Sequence, residues 1–120
     1  ACHTNMPSCF YKKLNLNTKT ISEVDKFKAT DILKGVYNVI LDRKENPKEG
    51  SYTNYLFDKG IDKILKKVGE ETAEVIIGAK HPGKEEMIYE ISDLIYHLSV
   101  LMAVKDTTWE EIYKELDGRR

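Results

Sequence analysis

Cysteine is nearly missing from this chain: Cys2 and Cys9 are the only two. Both fall near the start, so no disulfide framework holds the rest, and a reducing, cytoplasmic setting is the default expectation. An excess of one charge is missing as well. Nineteen Lys and Arg stand against 20 Asp and Glu, a formal net charge of -1, which offers no basic field for nucleic acid. No uninterrupted apolar run approaches the roughly 20 residues that span a bilayer, and the polar start lacks the apolar centre of a signal peptide. Neither membrane nor nucleic acid is therefore expected as a partner. Aromatics are thin, at 9% with one Trp. Proline is scarce, and Pro47 and Pro82 both sit where helices should stop. From Glu23 onward there is no strand-like alternation, no low-complexity segment and no useful repeat.

What is present is helical periodicity and mixed charge, 41% hydrophobic and 32% charged over 120 residues. That suits one small domain of the all-α class, a bundle of four to five helices. Residues 1–20 have no helical period, and Asn15, Asn17, Thr18 and Thr20 read as a linker. A helical pattern starts near Glu23 and carries Ile32, Leu33, Val36, Val39 and Ile40, with Thr30 or Asp31 as its N-cap and an end near Lys44. Ser51-Tyr52-Thr53 opens a second segment, which Gly60 is expected to kink or break. A third helix runs to about Lys80. His81-Pro82-Gly83 makes a turn, and a fourth helix spans about Lys84 to Val104. Thr108 with Glu111 reads as a capping box for a last short helix, edged by Trp109, Ile112 and Leu116. Roughly 90 helical residues with few aromatics make a marginal core. The wide apolar arcs therefore predict a homodimer in which two chains complete one bundle.

The third and fourth helices each carry a close acidic pair, Glu71 with Glu74 and Glu90 with Asp93. Spacing of i,i+3 projects each pair from one side of its helix. At about 100° per residue, Lys63, Lys67, Glu70, Glu71 and Glu74 share an arc of roughly 100°. Ile61, Ile64, Leu65, Val68, Val75, Ile76 and Ala79 fill the neighbouring arc. Glu90, Asp93 and His97 form a stripe beside Ile88, Ile91, Leu94, Ile95, Leu98, Leu101 and Met102. Packing the two apolar faces as a hairpin would bring four carboxylates to the edge of the seam. Carboxylates so gathered repel unless a positive charge sits among them, and a hard divalent cation is the natural one. The competing reading is a solvated face of Glu and Lys pairs. Two features weigh against it: the acids adjoin the apolar stripe, and the motif recurs after residues 75–89, an interval that suits a helix end, a short turn and a helix start. His97 reads as an ordinary boundary histidine or as a group orienting a carboxylate or a water.

The run GEETAEVIIGAK followed by YEISDLIYHLSVL, with SYTNYLFDKGIDKILKKVGEE upstream, closely resembles phosphoribosyl-ATP pyrophosphohydrolase, of the all-α nucleoside-triphosphate pyrophosphohydrolase superfamily. The resemblance covers about residues 28–118. It implies hydrolysis of phosphoribosyl-ATP to phosphoribosyl-AMP and pyrophosphate, the second step of histidine biosynthesis. It further implies Mg²⁺ held by Glu71, Glu74, Glu90 and Asp93. Glu70, Glu71 and Glu74 are the catalytic candidates, with the general base being Glu70 or one of the four acids. Lys63 and Lys67 would hold departing pyrophosphate. Arg43, Ser51, Tyr52, Thr53 and His97 match substrate-binding positions.

The first residues resemble another family. ACHTNMPSCFYKKL is similar to the end of phosphoribosyl-AMP cyclohydrolase, in which Cys2 and Cys9 would match zinc ligands. Two thiolates do not complete a zinc site, so Zn²⁺ and cyclohydrolase activity would belong only to an intact domain. The implied organisation is a cyclohydrolase remnant over 1–14, a linker over 15–27 and a pyrophosphohydrolase domain over 28–120, cut from a bifunctional parent. Two rival functions stand beside this one. A house-cleaning pyrophosphohydrolase of the same superfamily would differ only in the nucleoside pocket, and a substrate panel separates the two. A non-enzymatic dimeric helical module would show no saturable Mg²⁺ binding.

Overall fold

The computed structural model describes the backbone of residues 21–120 and the side chains of residues 32–120. The expected cyclohydrolase remnant with Cys2 and Cys9 lies outside the described residues. Five helices follow one another: α1 (Ile21–Glu45), α2 (Tyr52–Lys59), α3 (Ile61–Ala79), α4 (Glu85–Val104) and α5 (Trp109–Gly118). The described residues contain no strand. α1 starts earlier than expected, so Thr30 and Asp31 lie within it rather than capping it, and residues 21–27 are helical. Periodicity marks where an apolar face begins, whereas a helix can run on through a polar stretch without one.

Local chemistry accounts for the other boundaries. Ser51 caps α2 by accepting from the Asn54 amide at 3.2 Å. Asn54 in turn ties the preceding loop down, donating to the Arg43 carbonyl at 2.7 Å and accepting from the Lys48 amide at 2.8 Å. Gly60 has φ 91°, in a region that only glycine enters cheaply, and it separates α2 from α3. Thr108 and Glu111 form the reciprocal capping box at the start of α5. Gly78 lets the end of α3 approach the start of α4, since an added Cβ would lie 3.4 Å from the backbone of Glu86 and Met87.

α3 and α4 pack along each other as a hairpin, and α1 and α2 lie against it. Ile40, Leu56, Ile64, Val100 and Ala103 are buried at the centre, with Tyr37, Met102 and Trp109 around them. Tyr37 Oη donates to the Thr107 carbonyl at 2.6 Å, and Lys44 Nζ donates to the Ala103 carbonyl at 3.0 Å, which ties α1 to the end of α4. By length and composition alone α4 could cross a membrane. The expectation that no apolar run comes near that length is corrected here: over residues 87–104 only Glu90 and Asp93 are charged. It packs against α1, α2 and α3, with 28% of that apolar stretch buried.

The apolar faces do not simply meet with the acids at their margin. On α3, Ile64 is buried but Leu65, Ile76 and Ile77 are exposed, the last two at 62% and 59%. On α4, Ile88 and Ile91 are exposed while His97, Ser99, Val100, Met102 and Ala103 are buried. Among the described residues, Leu65, Ile76, Ile77, Ile88 and Ile91 of the hairpin are left exposed.

Candidate functional site

Glu71 sits at the centre of the acidic residues. It is 4% exposed, and its Oε1 is buried without a hydrogen-bond donor. Carboxylate oxygens of Glu71, Glu74 and Glu90 lie within 4.8 Å of one another. Ligand atoms of Glu71, Asp93 and His97 do the same. The four acids named from the sequence thus converge from α3 and α4, with Glu71 common to both groups. Burial pushes Glu71 up to about 8, helped by a hydrogen bond to Asp93 and by the charges of Asp93 and Glu74, against the opposing charge of Lys67. Burial and the charges of Glu74, Asp93 and Glu86 also raise Glu90. At about 8, Glu71 keeps its proton at neutral pH unless a cation replaces it. An orphaned buried carboxylate oxygen within an all-oxygen set fits a hard divalent ion such as Mg²⁺.

His97 is 1% exposed. Its Nδ1 lies 2.8 Å from the Asp93 carbonyl and its Nε2 lies 2.9 Å from Tyr52 Oη. A carbonyl can only accept, so Nδ1 carries a proton; in the neutral ring Nε2 then accepts from Tyr52. Both nitrogens are engaged with protein groups, and His97 therefore orients Asp93 and Tyr52 in this conformation. Burial comes first and the Asp93 charge second in pushing the Tyr52 phenol up to about 12, so it stays protonated. Thr53 is buried, and its hydroxyl bonds the Tyr96 hydroxyl. Adjacent residues of α2 thus hold adjacent residues of α4.

The two lysines expected to act together part company. Lys67 Nζ stays with the acids, 3.3 Å from Glu70 and 3.9 Å from Glu71. Lys63 Nζ instead lies 6.0 Å from the Tyr55 ring centroid. Glu70 is exposed, with Lys67 as its partner. Arg43 pairs with its neighbour Asp42 at 3.0 Å and, with Ser51, sits at the α1–α2 junction. The sequence reading passed over Tyr55, Tyr89 and Tyr96. Tyr96 was legible as the neighbour of His97. Tyr89 is raised by burial and by the charges of Asp93 and Glu90, and with Glu90 it lines a hollow beside the His81–Gly83 turn. Nothing in helical spacing alone marks it.

An all-α hairpin that gathers three further carboxylates around the buried, donorless Glu71 oxygen defines a class of protein: a helical bundle with an acidic cluster whose donor set could hold a cation. The comparisons with known proteins then narrow the class. The family model of phosphoribosyl-ATP pyrophosphohydrolase matches residues 33–120, and the chain belongs to that family. It is 62% identical to phosphoribosyl-ATP pyrophosphatase of Clostridium novyi over 75% of this chain and 82% of that protein. It is 56% identical to histidine biosynthesis bifunctional protein HisIE of Thermoanaerobacter pseudethanolicus, over 96% of this chain and 57% of that protein. For the bifunctional protein of Caldanaerobacter subterraneus the figures are 53%, 99% and 54%. The chain therefore spans about half the length of these bifunctional relatives.

Proposed function

We propose that this chain hydrolyses phosphoribosyl-ATP to phosphoribosyl-AMP and pyrophosphate, the second step of histidine biosynthesis, in the cytoplasm. The observation that carries the reading is the buried, donorless Glu71 oxygen among three further carboxylates. Family membership supports the substrate. Glu71, Glu74, Glu90 and Asp93 would hold Mg²⁺. Bound there, the ion would neutralise charge on the phosphate oxygens and acidify water. The chain's own groups supply the rest. A water oxygen bonds to one phosphorus of the α-β anhydride, and that phosphorus loses its bond to the bridging oxygen; pyrophosphate leaves with the bridging oxygen when the α-phosphorus is attacked and with the water oxygen when the β-phosphorus is. Glu70 or one of the four acids takes the water's proton. Lys67, beside Glu70 and Glu71, is placed to meet negative phosphate oxygens. Arg43, Ser51, Tyr52 and Thr53 stay assigned to the substrate side through the family resemblance. His97 acts through Tyr52 and Asp93.

The functional unit is a homodimer. Leu65, Ile76, Ile77, Ile88 and Ile91 are exposed on the hairpin that carries the site, and a second copy would cover them. The parent protein is bifunctional, with residues 1–14 the end of a cyclohydrolase domain and 15–27 a linker. Bifunctional relatives match 96% and 99% of the chain, whereas the single-function relative matches 75%.

The test is pyrophosphate release from phosphoribosyl-ATP, ATP and dCTP with Mg²⁺. The proposal expects phosphoribosyl-ATP to be preferred and Glu74→Ala or Asp93→Ala to abolish release. Equal use of all three substrates would favour a house-cleaning enzyme instead. Full activity in either variant would remove the metal assignment.

A further inference from the structure

The separation of Lys63 from Lys67 leaves a second charged feature outside the acidic site. Tyr55 is 42% exposed and stacks on Tyr52, with ring centroids 5.9 Å apart and planes at 23°. Two ammonium groups approach its ring, Lys59 Nζ at 5.8 Å and Lys63 Nζ at 6.0 Å from the centroid. Tyr55, Lys59 and Lys63 are four residues apart in turn, and the Gly60 break between the last two still leaves both on the same ring. Neither lysine is in an ion pair among the described residues, whereas Lys67, one turn further on, is held by two glutamates. Both ammonium groups approach one ring, and like charges repel. The Tyr55 π-face offsets only part of that, at about 0.5–1 kcal/mol for an exposed pair.

We propose that Tyr55, Lys59 and Lys63 form a subsite for a phosphate monoester attached to a flat aromatic base. The two ammonium groups take the dianion and the exposed ring takes the base. The subsite is joined to the acids through one row of rings. Tyr55 stacks on Tyr52, and Tyr52 meets His97 edge-on at 5.7 Å and bonds it at Nε2. The two ends of the row have opposite chemistry. The acidic end accepts phosphates only with a cation between, while the lysine end accepts a phosphate directly. A nucleotide with a polyphosphate at one side and a second sugar phosphate on its base would address both ends at once. This step rests on the function proposed above: phosphoribosyl-ATP has that second phosphate and ATP does not. Lys63 thus serves the far phosphate rather than the departing pyrophosphate.

The experiment measures binding without turnover. Calorimetry with Mg²⁺ present, so that the AMP phosphate common to both ligands goes to the acids and only the second phosphate is left for the lysines, compares AMP with phosphoribosyl-AMP on the wild-type chain, on Lys59→Gln/Lys63→Gln and on Tyr55→Leu, each checked for an unchanged thermal transition. The wild type should bind phosphoribosyl-AMP at least about tenfold more tightly than AMP. The double lysine variant should shrink that gap to about twofold and leave AMP binding alone. Tyr55→Leu should weaken both ligands. No preference in the wild type, or a preference that survives the lysine changes, overturns the subsite. A preserved preference in a wild type that releases no pyrophosphate from phosphoribosyl-ATP would sink the proposed reaction and leave the subsite standing.

Discussion

The two sides of the α3–α4 hairpin invert the usual arrangement of a helical protein. Facing inward, Glu71 is 4% and His97 1% exposed, while Ile76 and Ile77 on the same hairpin are 62% and 59% exposed. Burying a carboxylate without a donor costs free energy, and so does leaving large apolar side chains in water. A sequence that accepts both costs on one hairpin is organised around something other than the stability of a lone chain. The proposed cation would offset the cost on the inner side, and the proposed second copy the cost on the outer side.

The contrast can be broken from either side, and the inner acids should matter most. Glu71→Ala or Glu74→Ala should lower Mg²⁺-dependent pyrophosphate release by about 100-fold or more, as removal of a key charge-stabilising group does, with helical content unchanged by circular dichroism. Truncating the buried core beneath the site comes next. Ile64→Ala should cost about 2–5 kcal/mol in denaturant unfolding. Ile77→Ala should cost far less stability within a chain and instead shift the monomer–dimer balance in sedimentation. If Ile77→Ala unfolds the chain as readily as Ile64→Ala does, the two sides are not different in kind.

A pH series sharpens the inner side. Glu71 has a folded-state pKa near 8, above its ordinary value of 4.5, so the folded chain holds an extra proton between those values. Stability of the metal-free protein should therefore fall as pH rises from about 4.5 to about 8. Mg²⁺ should restore it at the upper end, and Glu71→Gln should flatten the metal-free slope. The smallest effect is a control remote from both sides. Thr108→Ala removes the α5 cap and should cost about 1 kcal/mol of stability without changing Mg²⁺ dependence.

Much of this layout was legible from side-chain spacing. Helix order, the Gly60 break, the turn at His81–Gly83 and the Thr108 cap follow from local chemistry, which a sequence displays directly. The i,i+3 acids were legible for the same reason, because a rigid helix fixes which residues point together. Orientation was not legible. A helical wheel ranks faces against one another but does not say which face the rest of the chain covers. The acids were expected at the edge of the seam, whereas Glu71 lies within it. Lys63 and Lys67 share an arc on α3 yet diverge, because flexible four-carbon stems follow the nearest partner: glutamates for one and the Tyr55 ring for the other. The early start of α1 was hidden by polar residues that carry no period.

Calorimetric titration of Mg²⁺ into the wild-type chain and into Glu71→Gln at pH 8 probes the central claim most directly. A saturable site in the wild type, lost in a variant that still folds, is the expected result. No saturable binding in the wild type, or identical binding in Glu71→Gln, would contradict the account.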